Sequence, residues 1–596
     1  MAKWMLKQAP IKSSELAQAL SIEPIIARIL AVRGYHDPES ARQFLHAGEQ
    51  ELASVWLFAD MEKAVKIAAT AINEHMRVAV FGDYDVDGVM STVILTKTFT
   101  SLSGDVVFYI PERESEGYGL NNEAILKLKN RGVDCIFACD NGVTAMEQVE
   151  YANSLGMKIV ILDHHALLLE EDEQGKTHQL FPAAAAIVDA KRDDCSYPFE
   201  NYCAAGICYR FSQAIYEYLG KNWQSLSREL LPLAAIATVC DIVELVGENR
   251  FLVQRGLPQI PQSSNLGIQA LLRATGISDK VIGTYQIGFI LGPCINASGR
   301  LEMAEKAVEL FLADNPEVAA QQATYLAELN TCRRTLTEQG TAIALAIIEK
   351  LQLTTDKVIV IYSPEIAESV AGIIAGRIKE KFCRPTVVLA GSKEVIRGSC
   401  RSVEGYNIFM ALNGCSDILE AFGGHPLAAG LSILPINIER LRQRLNAACQ
   451  LTEDDMQPLY RIDKLLPIAE ATLKLAKSLT IFEPYGKGNS QIYFADQNLQ
   501  LFKILLLGKD EQIIRWYFRQ QDAVVGEAIS FSGKEKLMKL LEEAYGTDCW
   551  QGLLKGKAQP CPIMDILYTV NVNVYNNRES AQLQITDFRL THHQGR

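Results

Sequence analysis

Three short apolar runs in this chain, VAVF (78–81), CIFAC (135–139) and KIVIL (158–162), each lead into acidic or histidine residues. After the first run come Gly82 and three carboxylates at alternate positions, Asp83, Asp85 and Asp87, then Gly88 and a new apolar stretch. The second leads into Asp140 of CDNG, and the third into Asp163, His164 and His165. Ligands of open parallel sheets gather outside the carboxyl ends of the strands, which is where these residues fall. Further strand-like runs lie at 106–110 and 186–188, and helix-like runs at 121–130 and 145–155. That alternation predicts a parallel α/β sheet with helices on both faces. Residues 203–275 read as mostly helical, and Asp241 ends the apolar run LAAIATVC within them.

Carboxylates spaced like Asp83, Asp85 and Asp87 repel one another, so their loop needs a cation or a dense set of hydrogen-bond donors. A solvated acidic turn is the plain alternative. Aspartate and histidine are the residue types that hold Mn²⁺, Mg²⁺ or Zn²⁺. Four such segments in one order, three of them at strand ends, are hard to obtain from solvated turns.

GDYDVDG, CDNG, LDHH and VCDIVELVGENR together resemble the DHH phosphoesterase superfamily, and within it the RecJ family of bacterial single-strand-specific exonucleases. The segments IPERESEGYGL (110–120), GPCINASGRLEMA (292–304), RGSCRS (397–402), FGGHPLAAG (422–430) and PYGKGN (484–489) extend the likeness in the same order, over about residues 25–590. The resemblance implies an α/β fold: a DHH parallel-sheet domain joined by a long helix to an α/β DHHA1 domain, then an OB-fold-like β-barrel. The expected spans are an N-terminal helical segment at 1–50, the DHH domain at 51–300, the connecting helix at 301–350, the DHHA1 domain at 351–452 and the OB-fold at 453–596. Pro316 fits near the start of the long helix, and six short strand-like runs fit the barrel.

The resemblance also implies a site. Asp85, Asp87, Asp140, His164 and Asp241 map onto metal ligands, with Asp140 bridging two Mn²⁺ or Mg²⁺ ions about 4 Å apart. His165 is expected as a phosphate contact or proton donor. Asp83 and Asp163 are expected to orient neighbours, or equally to cap helix starts. Asn296, Ser298 and Arg300 of INASGR, which bare sequence reads as a turn, would close over the substrate. Arg397, Ser399, Arg401, Ser402, Gly424 and His425 would hold phosphates. The implied activity is metal-dependent 5′-to-3′ hydrolysis of single-stranded DNA to 5′-mononucleotides in recombination and repair. The alternative is a catalytically weak or inactive DHH-family protein that binds single strands. Implied partners are a RecQ-type helicase and a single-strand-binding protein, for a monomeric enzyme. The sequence has no G-x-x-x-x-G-K-[ST] loop, so no motor is expected.

Net charge is −13, so a nucleic-acid surface must be local. Residues 376–402 supply one, with Lys or Arg at 377, 379, 381, 384, 393, 397 and 401. The 14 cysteines form no C-x-x-C pair and read as reduced core residues of a cytoplasmic protein. No long apolar run predicts a membrane span. In the barrel, Trp516, Tyr517, Phe518 and Tyr575 are candidates for base stacking or for core. Four positions depart from the family pattern. Phe81 stands where many DHH proteins have a histidine ligand, Cys294 where arginine is frequent, Ala367 where relatives have histidine, and Glu244 where proline is common.

Overall fold

The computed structural model describes residues 2–8, 13–49, 52–112, 115–172, 175–391, 394–520, 523–576 and 578–591; Lys393 of the basic segment lies outside them. The chain forms two compact units, Gly48–Met456 with Gly486–Gly488, and Met1–Ala47 with Gln457–Tyr485 and Asn489–Arg596.

The first unit begins with α1 (Met61–Asn73) and β1 (Arg77–Phe81), followed by α2 (Val86–Ser101), β2 (Asp105–Tyr109) and α3 (Asn122–Asn130). Next come β3 (Cys135–Cys139), α4 (Met146–Ser154), β4 (Lys158–Leu162) and β5 (Ala186–Val188). The five strands form one parallel sheet in the order β2-β1-β3-β4-β5. Strand alternation divides the side chains between two cores. Val78 and Val80 join the helices on one face, and Ala79 and Phe81 the other. Chain order reverses between β2 and β3 on either side of β1, which opens a crevice at the strands' carboxyl ends. Helix α2 is buried along nearly its whole length, packed against α5 (Ala204–Tyr218) and α6 (Gln224–Cys240). Helix α7 (Gly292–Leu301) leads towards the 35-residue α8 (Pro316–Lys350), which starts with Pro316 at its first position and Asn315 as cap.

A second sheet in the same unit contains β6 (Ile359–Ser363), β7 (Thr386–Ala390), β8 (Ile396–Arg401), β9 (Ala421–His425) and β10 (Ala428–Ile433), ordered β9-β10-β8-β7-β6. Helix α9 (Ala371–Phe382) packs on this sheet and on α8.

The other unit is built on a barrel. Its strands are β11 (Phe494–Leu507), β12 (Ile513–Gln520), β13 (Ala523–Ser530), β14 (Ile563–Tyr575) and β15 (Arg578–Leu590). They run in the order β11-β12-β13-β15-β14, and pairing of β14 with β11 closes the circle. Two runs expected as separate strands are one, β11, kinked by a bulge between Asp496 and Leu499. Helices α10 (Lys534–Tyr545) and α11 (Asp548–Leu554) interrupt a stretch whose sequence pattern predicts strands alone. Trp516 and Phe518 are fully buried in the barrel core, whereas Tyr517 is half-buried and Tyr575 is exposed. The N-terminal segment is not purely helical: Lys3–Leu6 is a strand paired in parallel with Leu459–Ile462. The helices after it place Leu16, Ile29, Leu30 and Phe44 in the barrel's own core.

Nine of the 14 cysteines are buried; Cys240 and Cys383 are half-buried and Cys332 is exposed. Among the described residues no helix is long and apolar enough to cross a membrane.

Candidate metal centre and adjoining groove

The turn after β1 depends on two glycines. A Cβ on Gly82 would lie 1.9 Å from Thr92 Oγ1, and one on Gly88 would lie 2.5 Å from the Asp83 carbonyl oxygen. Their absence lets the acidic loop fold back on the first turn of α2. Asp85, not Asp83, caps that helix: its Oδ1 accepts from the backbone N–H groups of Asp87 (2.9 Å) and Gly88 (3.1 Å). The buried Asp87 carboxylate accepts from the backbone of Ala204 (2.7 Å) and Ala205 (2.8 Å), at the N-terminus of α5, where the helix dipole favours an anion. Asp140 follows β3 in a left-handed conformation, φ 62°, with its carbonyl accepting from the Tyr118 hydroxyl at 2.9 Å. Asp241 closes the C-terminal end of α6.

His164 gathers these groups. Its Nε2 lies 3.3 Å from Asp140, 3.7 Å from Asp87 and 3.8 Å from Asp241. Burial, then the charge of His165, depress its pKa to about 3, so the imidazole is neutral and able to ligate. Burial and mutual repulsion push Asp87 up to about 7 and Asp241 up to about 8. Asp83 and Asp140 are raised for the same reasons. Asp83 Oδ1 and Asp241 Oδ2 are buried with no hydrogen-bond partner among the described residues. Raised carboxylates, orphaned oxygens and a neutral imidazole form a donor set that fits a hard divalent cation.

One ligand atom from each of Asp83, Asp85 and Asp140 lies within 4.8 Å of the others, as do those of Asp87, His164 and Asp241 in a second group. Phe81 does not intrude: its ring is buried in the core, stacked on Tyr109 with centroids 5.3 Å apart.

Asp163 is buried among hydrogen-bond donors. It accepts from the backbone of His164 (2.7 Å), His165 (3.2 Å) and Val143 (3.1 Å), and meets His165 Nδ1 at 2.8 Å. Burial would raise it, but the hydrogen bond and charge of His165 hold it at about 2. Burial opposes the charge on His165, yet the Asp163 pair raises that imidazole to about 9. With Nδ1–H directed at Asp163, His165 presents Nε2, which faces the Tyr118 hydroxyl at 3.3 Å.

Tyr118, Lys191 and Asp189 are parts of the site that sequence reasoning did not assign. Lys191 donates its Nζ to the His164 carbonyl, and buried Asp189 accepts from the Lys191 backbone at 2.8 Å. Asp189 directly follows β5, so the strand-end pattern that flagged Asp140 and Asp163 also marks it.

Beside the centre lies a groove of about 660 Å³ that brings together Arg300, Arg397, Ser399 and Gly423. Glu112, Glu302 and Glu368 line it too, and Glu368 lies 3.9 Å from Arg397. Ser399 and Arg401 meet the first turn of α9: a Cβ on Gly372 would sit 3.0 Å from Ser399 Oγ and 3.1 Å from Arg401 Nη2. INASGR is helix rather than turn, and the buried Ser298 hydroxyl is satisfied within it by the Ile295 carbonyl. Asn296 is half-buried in that helix outside the groove lining. Arg300 bonds the Ser369 carbonyl at 3.3 Å. Ser402 Oγ donates to the Tyr406 carbonyl at 2.7 Å, which closes its own loop. Gly424 takes φ 141°, a Cβ on it would lie 2.5 Å from β10, and His425 is exposed at the strand end. Cys294 faces α8, where Asn330 donates to its sulfur. Glu244 packs near Gly488, next to the Leu245–Lys487 backbone hydrogen bond. Ala367 precedes the short turn Glu368–Val370.

A parallel sheet whose strand ends converge on a carboxylate–histidine cluster, followed by a second α/β sheet, defines a DHH-type phosphoesterase. The model of the DHH family N-terminal domain matches residues 77–238, that of the DHHA1 domain 355–451, and that of the RecJ OB domain 462–587. The single-stranded-DNA-specific exonuclease RecJ of Bacillus subtilis is 31% identical over 97% of this chain and 69% of its own length. RecJ of Escherichia coli is 32% identical over 82% of this chain and 85% of its own. The crystal structure of Thermus thermophilus RecJ in complex with Mn²⁺ superposes with a TM-score of 0.78 at 26% identity, over 99% of this chain and 80% of that one. The chain belongs to the RecJ family.

Proposed function

We propose that this protein is a metal-dependent exonuclease specific for single-stranded DNA. The observation that carries the reading is the convergence of Asp85, Asp87, Asp140, His164 and Asp241 at the carboxyl edge of one parallel sheet, in a chain of RecJ-family organisation. We assign these five as ligands of two Mn²⁺ or Mg²⁺ ions, with Asp83 available as a further oxygen donor. When bound, such ions acidify a water for attack on phosphorus and neutralise charge that develops on the phosphoryl oxygens.

The protein's own groups do the rest. The carboxylates must release protons before they can hold cations. Asp163 fixes the His165 tautomer, so that the charged ring holds a phosphate oxygen or gives a proton to the departing oxygen. Arg300, Arg397, Ser399 and Arg401 receive backbone phosphates, helped by the α9 N-terminus. Ser298 and Ser402 support those contacts from within their own elements. Asn296, Gly424 and His425 flank the path of the strand.

Digestion proceeds 5′ to 3′ and releases 5′-mononucleotides during recombination and repair in the cytoplasm. Without a P-loop the enzyme depends on strands opened elsewhere, by a RecQ-type helicase with a single-strand-binding protein. The test is digestion of a 3′-labelled single strand, a duplex and a 5′-blocked strand in Mn²⁺, Mg²⁺ and EDTA. Metal-dependent shortening of the unblocked single strand alone supports the reading. Intact DNA that is nevertheless retained in a gel shift overturns it in favour of a binding protein.

A further inference from the structure

Two aromatic rings near the metal centre have no role in the hydrolytic scheme. Tyr285 and Phe289 are 62% and 71% exposed, and their rings stack with centroids 5.0 Å apart at an interplanar angle of 28°. They stand four residues apart on the short helical segment that runs into α7. Its next turn, Ile287–Leu291, is a π-helical widening of the kind frequent at functional sites.

The segment is firmly anchored from the other side. Ile287 and Leu291 are buried, the Ile287 carbonyl lies 4.0 Å from Cys240 Sγ, and a Cβ on Gly292 would meet the same sulfur at 2.5 Å. Cys240 directly precedes Asp241, so the segment that carries the rings packs against the residue next to an assigned metal ligand. Ile242, on the far side of Asp241, is also exposed and takes φ 58°. The rings are thus presented to solvent by a buried base that packs against the residue before Asp241.

A strand held at that centre must cross the surface around it. Bases of a single strand have unoccupied π faces that stack on aromatic side chains, whereas duplex bases already stack on one another. We propose that Tyr285 and Phe289 form a stacking platform for a base of the bound strand, and so help determine specificity for unpaired DNA. The inference rests on the exonuclease reading above and names a contact within it.

The test compares full-length wild type with the Tyr285→Ala/Phe289→Ala double variant and the conservative Tyr285→Phe/Phe289→Tyr variant. Fluorescence anisotropy in EDTA measures affinity for a labelled single strand and for an abasic strand of equal length. Hydrolysis of the normal strand in Mn²⁺ is followed alongside. The platform predicts that the double alanine variant loses roughly fivefold to a hundredfold in affinity for the normal strand. It predicts little loss on the abasic strand, retained affinity in the conservative variant and an unchanged melting temperature. Equal losses on both strands, or no loss on either, with wild-type hydrolysis intact, overturn the platform and leave the exonuclease standing. Wild type that neither cleaves DNA nor distinguishes the two strands overturns both.

Discussion

At the scale of single residues, the centre is a problem of charge. Asp87 and Asp241 reach about 7 and about 8 because burial and neighbouring carboxylates disfavour their anions. In the metal-free protein the folded state therefore keeps protons that the unfolded chain releases above about pH 4. Its stability falls as pH rises from there towards about pH 8, and cation binding must displace those protons. The expected result is a larger Mn²⁺-induced rise in melting temperature near pH 8 than near pH 6, and an equal or smaller rise would contradict the assignment. Asp163 gives a second prediction. Asp163→Asn weakens the charge pair that fixes His165 and disturbs three backbone donors. A 10- to 100-fold loss in activity or Mn²⁺ affinity is expected, read from Mn²⁺ titrations of the initial rate. The carboxylate–histidine cluster was legible because acids at strand ends have few structural reasons to recur. Asp189 obeys the same pattern and was overlooked because a single aspartate after a three-residue strand carries little signal. Ser298 and Ser402 read as substrate contacts in sequence, since nothing in a short motif reveals that a hydroxyl is already paired with a nearby carbonyl.

At the scale of elements, the strand ends and first helical turns hold the site, and their glycines are the weak points. Gly88→Ala places a methyl 2.5–2.6 Å from the Asp83 backbone, which must then shift together with the capping carboxylate of Asp85. A destabilisation of roughly 1–3 kcal/mol is expected from overpacking, with a loss of activity far larger than that stability change would cause. Chemical denaturation and initial rates on a single strand check the two parts separately. The five parallel strands and the long α8 were readable because their apolar periods are strong and their ends are marked by glycine, proline or asparagine. The Lys3–Leu6 strand was not, because its partner lies more than 450 residues away and four residues carry no period of their own. Helix α10 carries Leu537 and Leu541 one turn apart on its buried face, a helical signal masked by the strands around it.

At the scale of the whole molecule, each compact unit draws on distant sequence. The barrel's core is completed by the N-terminal helices: Phe44 meets Phe482 at 6.1 Å between ring centroids, and Trp4 donates to Asp587 at 2.8 Å. Removal of residues 1–47 would expose Phe482 and its neighbours while stripping out Leu16, Ile26, Ile29, Leu30 and Phe44. At about 1.5–3 kcal/mol for each large apolar side chain, that loss rivals the entire stability of an ordinary domain. The truncated chain is expected to show hydrogen exchange throughout β11–β15 at near-unfolded rates, and barrel protection equal to that of the full chain would refute the packing argument. The catalytic unit rests on one further dependence, the place of Asp140 in both the Asp83–Asp85 group and the His164–His165 group. The most direct measurement is therefore the rate at which Asp140→Ala shortens a single strand at saturating Mn²⁺, with circular dichroism to confirm its fold. A fall of about a thousandfold or more is expected, the scale on which charge stabilisation at a reacting centre operates. A folded variant that cuts within tenfold of wild type would contradict it.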